Sequence, residues 1–245
     1  MHSRRTVEAA LRLAEQGVLA GEISLRVGVP RRTVRDWIVG SVPHSARPGT
    51  CPRCLGQHDL TSLPAAEYVY LLGLYLGDGC LSRHARDVYK LRIILDSKYP
   101  SIIRDAVSAV RGVSGRAGVL ARSDSCVEVY SFWRSWVCLF PQHGPGKKHE
   151  RAIALAAWQQ NLVDRWPAML VRGLIQSDGC RFQNTGRNWS WPRYSFTNHS
   201  ADIHRMFRDG CERLGLRWTA SGMYATCVSR KADVAILDGF IGPKR

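Results

Sequence analysis

The segment Leu71-Leu-Gly-Leu-Tyr-Leu-Gly-Asp-Gly79 returns without a gap as Val171-Arg-Gly-Leu-Ile-Gln-Ser-Asp-Gly179, which places Asp78 and Asp178 at 178 − 78 = 100 positions apart. A domain-sized period of this kind constrains the fold before any other feature, because each copy must then be one unit that stacks on the other. A proline stands near the start of each helical stretch, Pro64 and Pro167, where a missing N–H costs little. Each copy runs on into a cysteine and a strand-like stretch, Cys80-Leu-Ser-Arg and Cys180-Arg-Phe-Gln.

The parallel extends through both flanks. Val88–Leu95 and Trp191–Thr197 are β-branched and aromatic, as strands are. Apolar residues at helical spacing follow in Ser101–Val110 and in Ala201–Leu214. Two more short strands are expected in each half, Gly118–Ala121 with Val127–Phe132 and Arg217–Ser221 with Tyr224–Val228, then a last short helix. The halves close alike, on Phe140-Pro-Gln-His-Gly-Pro-Gly-Lys-Lys148 and on Phe240-Ile-Gly-Pro-Lys-Arg245. The spacings from acid to lysine are 147 − 78 = 69 and 244 − 178 = 66. The fold class is therefore α+β, two copies of α-β-β-α-β-β-α at residues 64–150 and 151–245.

Charge points to the partner. Lys and Arg number 35 against 20 Asp and Glu, a net +15. Residues 1–60 hold 9 basic and 5 acidic residues, leaving 26 and 15 for the rest, so the excess is spread along the chain as a polyanion surface requires. The N-terminus is amphipathic and charged, unlike a signal peptide, and the most apolar stretch, Val69–Leu76, is too short to span a bilayer. Of eight cysteines only Cys51 and Cys54 are close in sequence. The others sit among apolar neighbours, as thiols of a reducing compartment do. A cytoplasmic, nucleoid-associated protein is expected.

The first 40 residues read as a small all-α domain. Thr6–Gln16 has helical apolar spacing, Gly28 permits a sharp turn, and Pro30 opens a segment Arg31–Ile38. Glu22–Ile38 looks like a helix-turn-helix in which Val34 and Ile38 pack inward while Arg31, Arg32, Thr33 and Arg35 face a major groove; a protein-interaction bundle with a basic face is the alternative. Residues 41–63, rich in Gly and Pro, read as a linker. Within it Cys51-Pro-Arg-Cys54 is half of a zinc knuckle, with His44 and His58 as candidate completing ligands. Two reduced cysteines are the simpler reading.

On the two motif copies and their flanks, Pro64–Arg245 resembles the LAGLIDADG homing endonuclease family in its single-chain, two-repeat form. The resemblance implies two four-stranded antiparallel sheets forming a saddle over double-stranded DNA, in a monomer with pseudo-twofold symmetry and no small-molecule substrate. Arg83, Arg86, Lys90, Arg92, Arg181, Arg187 and Arg193 would then face the groove, with Lys148 on a phosphate. Leu76 and Gln176 stand where the family's name motif has its earlier acid. The resemblance makes the later acid the metal ligand.

The residues themselves carry a chemical argument. Gly73 and Gly77, matched by Gly173 and Ser177, are small residues four apart. Glycine costs about 1 kcal/mol against alanine inside a helix, which close contact between two helix backbones would justify. Asp78 and Asp178 fall at helix C-termini, where the macrodipole disfavours anions, and pairing the helices brings the like charges together. A cation resolves that conflict. The carboxylates, with backbone carbonyls at Gly77 and Ser177, are hard oxygen donors suited to Mg²⁺ or Mn²⁺, and such an ion activates water for phosphodiester hydrolysis. Lys147 and Lys244 would stabilise transition-state charge or else anchor phosphates. Two functions follow: a site-specific DNA endonuclease with an accessory helix-turn-helix, or a transcriptional regulator that keeps the DNA-reading core and does not cut.

Overall fold

The computed structural model describes residues 2–42, 51, 60–123 and 125–242, and the chain divides into two compact units, Met1–Leu60 and Thr61–Arg245.

Among its described residues the first unit holds three helices, α1 (Arg4–Glu15), α2 (Ala20–Val27) and α3 (Arg31–Ile38). Ser3 starts α1 by accepting a hydrogen bond from the Thr6 N–H on its side-chain oxygen at 3.2 Å. Gly28 ends α2 at φ 65°, a left-handed conformation that costs glycine nothing. Val7, Ala10, Ile23, Val29, Val34 and Trp37 form the core. The expectation for α3 is half corrected here. Val34 is buried, but its inward companion is Trp37, while Ile38 is 43 % exposed. On a helix the residue three positions on shares the buried stripe, and the larger indole takes the place.

The second unit repeats one path twice. The first pass runs α4 (Ala65–Leu76), β1 (Gly79–Arg83), β2 (Tyr89–Asp96), α5 (Pro100–Ser114), β3 (Gly118–Ser123), β4 (Cys126–Trp133) and α6 (Trp136–Leu139). After α7 (Ala157–Arg165) the second pass runs α8 (Pro167–Asp178), β5 (Gly179–Gly186), β6 (Trp189–Thr197), α9 (Ala201–Arg213), β7 (Thr219–Ala220), β8 (Ala225–Val228) and α10 (Lys231–Ile241). The two antiparallel sheets have the same strand order, β1-β2-β4-β3 and β5-β6-β8-β7. Helix α7 was not anticipated. It is tied in by buried Gln159, whose side-chain amide donates to the Tyr68 hydroxyl at 2.7 Å and accepts from the Gln142 amide at 2.6 Å.

Strand parity separates the two faces of each sheet. Leu91, Ile93 and Leu95 of β2, with Leu81 and Val129 opposite or beside them, face the helices and join one core that runs through both halves. Lys90, Arg92 and Ile94 alternate onto the open face. In the second sheet Tyr194 and Phe196 face the core, and Trp191, Arg193 and Ser195 take the open face.

Helices α4 and α8 meet backbone to backbone. A Cβ built on Gly73 would lie 2.7 Å from the Leu170 carbonyl oxygen and 2.9 Å from the Gly173 Cα. One built on Gly173 would lie 2.3 Å from the Tyr70 carbonyl oxygen. No side chain fits there, which is the reason for two helix-interior glycines.

Candidate active site

The seam fixes where the two motif ends arrive. Gly77 caps α4, and a Cβ placed on it would meet the Ser177 side chain and come within 3.0 Å of an Asp178 carboxylate oxygen. Both Asp78 and Asp178 line one cleft of about 500 Å³, together with Tyr75, Lys148, His149 and Asn198. Pairing of the duplicated helices thus brings the two acids to one place.

The lysine on which both acids act is Lys148. Its Nζ donates to the carbonyl oxygens of Tyr75, Leu76 (2.9 Å) and Gly77 (2.7 Å), the last carbonyls of α4. Carbonyls at a helix C-terminus mark the negative end of its dipole, so an ammonium is favoured there. Burial pushes the Lys148 ammonium down to about 8, against the upward pull of Asp178 and Asp78. Lys147, assigned the catalytic part from sequence, also borders the cleft. Its side chain is 73 % exposed and pairs with Glu150 at 3.5 Å. Of the two neighbours, Lys148, expected on a DNA phosphate, is the one that binds the end of α4. Lys244 lies outside the described residues.

Lys148 also modifies the argument for metal. A protein cation already sits at the helix end beside both carboxylates, so a bound ion is not the one way to balance them. The donor set still fits a divalent ion of the Mg²⁺ class, which binds through one or two carboxylates, keeps several waters and takes the rest of its shell from substrate phosphates. The Gly77 carbonyl, expected as a donor to such an ion, accepts from Lys148. Ser177 is placed differently: its hydroxyl donates to the Gly173 and Leu174 carbonyls at 3.0 Å each, and it borders a second hollow with Leu95, Asp96 and Lys98. Among the described residues no group of three or more His, Cys, Asp or Glu could hold a metal. Of the zinc candidates, Cys51 is described as a half-buried thiol, while Cys54, His44 and His58 lie outside the described residues.

Two features of the cleft had no sequence signal. Asn198 donates from its amide nitrogen to Asp178 Oδ2 at 2.6 Å. His149 and His199 come together with ring centroids 5.4 Å apart, and His199 stacks toward Tyr224 at 4.4 Å.

The arginines and lysines expected on the DNA face divide three ways. Lys90, Arg92 and Arg193 lie on the open faces of their sheets. Lys90 is also held, 2.5 Å from buried Glu128 and 4.6 Å above the Tyr130 ring. Arg86 and Arg187 are exposed in the β1–β2 and β5–β6 connections. Arg83 and Arg181 are corrected: both share the face of the core. Arg83 follows the parity of buried Gly79 and Leu81 and pairs with Asp87. Arg181 stands opposite buried Tyr194 and grips Asp238 of α10 with two hydrogen bonds, 2.7 and 2.9 Å. In the first unit Arg31, Arg32 and Arg35 are exposed around one shallow hollow, and Thr33 is half-buried.

No family model matches the chain, and no curated protein matches it. Among solved structures it is similar to the LAGLIDADG meganuclease I-AabMI bound to uncleaved DNA (9 % identity, TM-score 0.44, 71 % of this chain and 82 % of that one). It is also similar to the N-terminal LAGLIDADG domain of DUF199/WhiA (14 %, 0.46, 74 % and 85 %). A third likeness is to the homing endonuclease I-WcaI bound to its DNA recognition sequence (11 %, 0.48, 73 % and 81 %). Among the described residues no helix is long and apolar enough to cross a membrane.

Proposed function

We propose that this chain is a site-specific endonuclease for double-stranded DNA that acts as a monomer with pseudo-twofold symmetry at the nucleoid. The observation that carries the reading is the arrival of Asp78 and Asp178 in one cleft, at the ends of two helices packed through glycine. A divalent ion there, Mg²⁺ or Mn²⁺, would polarise the scissile phosphate and orient and acidify a water for attack on it. Asp78, Asp178 and the carbonyls of Gly77 and Ser177 are the groups that would hold it. Lys148 places a buried positive charge beside the same carbonyls, where it can receive a phosphate oxygen as charge builds on it. Lys90, Arg92 and Arg193 on the open sheet faces, with Arg86 and Arg187 at the turns, would contact the duplex. Arg31, Arg32, Thr33 and Arg35 would add a helix-turn-helix contact.

A second reading, a DNA-binding regulator that does not cut, is favoured by one specific observation. Lys148 already satisfies the α4 carbonyls and sets one positive charge against the two acids. One experiment separates the two. Duplexes selected by the full chain from a random library are incubated with Mg²⁺, alongside Asp78→Asn and Asp178→Asn. The endonuclease reading expects metal-dependent strand cleavage by the wild type and none by either variant, with binding retained. Binding by the wild type without any Mg²⁺- or Mn²⁺-dependent cleavage would establish the regulator reading in its place.

A further inference from the structure

We infer that Trp191 and Asn184 form a specificity-determining pair that reads one A·T base pair from the major groove, the indole on the thymine methyl and the amide on the adenine. This rests on the proposed reading of the open sheet faces as the side that meets duplex DNA.

Strand β8 pairs with β6 only from Tyr194 to Thr197, whereas β5 stays paired with β6 out to Gly186 and Trp189. Residues 182–186 and 189–193 therefore run on as a two-stranded ribbon, with no third strand paired to it among the described residues. Such a ribbon is an element that the major groove of B-DNA admits. Parity counted from core-facing Tyr194 and Phe196 puts Trp189, Trp191 and Arg193 on the open face. Their partners across the ribbon, Gly186, Asn184 and Phe182, share it. Phe182, Trp189 and Trp191 are 40, 46 and 54 % exposed. One exposed aromatic needs no explanation, but three on one face of one ribbon mark a contact surface.

Local packing accounts for the first indole and not for the second. A Cβ built on Gly186 would collide with the Trp189 ring, so that ring covers the glycine. Trp191 stands opposite a polar residue, Asn184, and with it borders a hollow of about 340 Å³ that Trp189, Arg193 and Ser229 also line. Facing residues of an antiparallel pair keep their Cβ atoms about 4.5–5.5 Å apart, so one amide and one apolar ring are presented together. In the major groove an A·T pair matches both. Adenine offers the N7 acceptor and N6 donor that an asparagine amide pairs with, and thymine offers a methyl. Guanine shows two acceptors, and cytosine a donor with no methyl. Arg193, held through Nε on Ser229 Oγ at 2.8 Å, supplies charge for a neighbouring phosphate. With Arg187 exposed at the ribbon's turn, the aromatic row is flanked by positive charge, which favours a nucleic acid over a protein as its occupant.

The test uses the full chain and duplexes that it selects from a random library, with binding read by fluorescence anisotropy at one salt concentration. Each thymine of a selected duplex is replaced singly by deoxyuridine, which lacks only the C5 methyl. At one thymine the wild type is expected to lose about fourfold in affinity, the worth of one buried methyl-sized group. Trp191→Ala is expected to bind the thymine and deoxyuridine duplexes equally there. Replacing the adenine paired with that thymine by 7-deazaadenine, which removes the N7 acceptor, should weaken the wild type and leave Asn184→Ala indifferent. Thermal unfolding checks that each variant is folded, and Trp191→Gln takes the place of alanine should that variant fail to fold. A wild type that binds the selected duplex with no loss at any thymine overturns this inference alone. So does a loss that the Trp191 variant keeps, or a methyl effect without the N7 effect at its partner adenine. A dimer of the free chain that Trp191→Ala dissolves would give the indole a protein partner instead. Tighter binding of a duplex with an unpaired bubble, abolished by Trp191→Ala, would assign the ring to unstacked bases and overturn the groove contact. A wild type that binds no duplex overturns the inference together with the proposed function.

Discussion

Gly173→Ala puts the helix seam to a quantitative test, because the added methyl meets backbone and nothing that can swing aside. The new Cβ would stand 2.3 Å from the Tyr70 carbonyl oxygen and 2.9 Å from the Gly73 Cα. A close carbon–oxygen approach is about 3.3 Å, so α4 and α8 must separate locally by roughly 1 Å. Overpacking of this kind costs about 1–3 kcal/mol, with the upper end apt where both obstacles are main chain. Helix propensity returns about 1 kcal/mol. The net expectation is a loss of about 2 kcal/mol, which at a urea m-value of about 3 kcal/mol/M lowers the midpoint by about 0.7 M. Gly239 supplies the control. It lies exposed in α10 with nothing within 4 Å of an added Cβ, so Gly239→Ala should gain about 1 kcal/mol from propensity alone. Urea unfolding of the full chain, followed by circular dichroism, reads both. A Gly173→Ala chain as stable as wild type would refute the close backbone approach at the seam.

Two further outcomes follow from the charges. Lys148 has a pKa of about 8 in the fold against about 10.4 for a free lysine, so between those values the unfolded chain binds more protons and folding gains stability as pH rises. Lys148→Met should remove that gain: in denaturation series from pH 7.5 to 10.5 the wild type should improve relative to the variant, and parallel curves would contradict the buried ammonium. In the first unit, replacing Arg31, Arg32 and Arg35 together with alanine should lower the slope of log affinity against log salt by about 2.7, roughly 0.9 for each phosphate no longer neutralised. An unchanged slope would place these arginines off the DNA.

What the sequence made legible was whatever depends on spacing. The 100-residue period, the paired acids and the glycines four apart needed no knowledge of distant neighbours, and the sheets and helix seam follow them. Strand faces depend on which residue anchors the count. Counted from the core-facing Gly79 and Gly179, Arg83 and Arg181 fall inward. The choice between Lys147 and Lys148 lay beyond a one-dimensional reading, because adjacent lysines differ only once the turn at Lys148–Glu150 sends one to Glu150 and the other to the α4 carbonyls. Asn198 was invisible for a related reason: its hydrogen bond to Asp178 depends on the β5–β6 register and on Ser200 and His204. Helix α7 is short, and part of its anchoring comes from a glutamine, a residue that apolar periodicity does not count.

The most direct test of the central claim is anomalous scattering from Mn²⁺ in crystals of the full chain grown with a selected duplex. Asp78 and Asp178 acting as a cation site predict a peak within coordinating distance of both carboxylates, with Lys148 displaced from Gly77 or turned to a phosphate oxygen. A duplex-bound chain with no peak there, and Lys148 still seated on the carbonyls of Leu76 and Gly77, would contradict it.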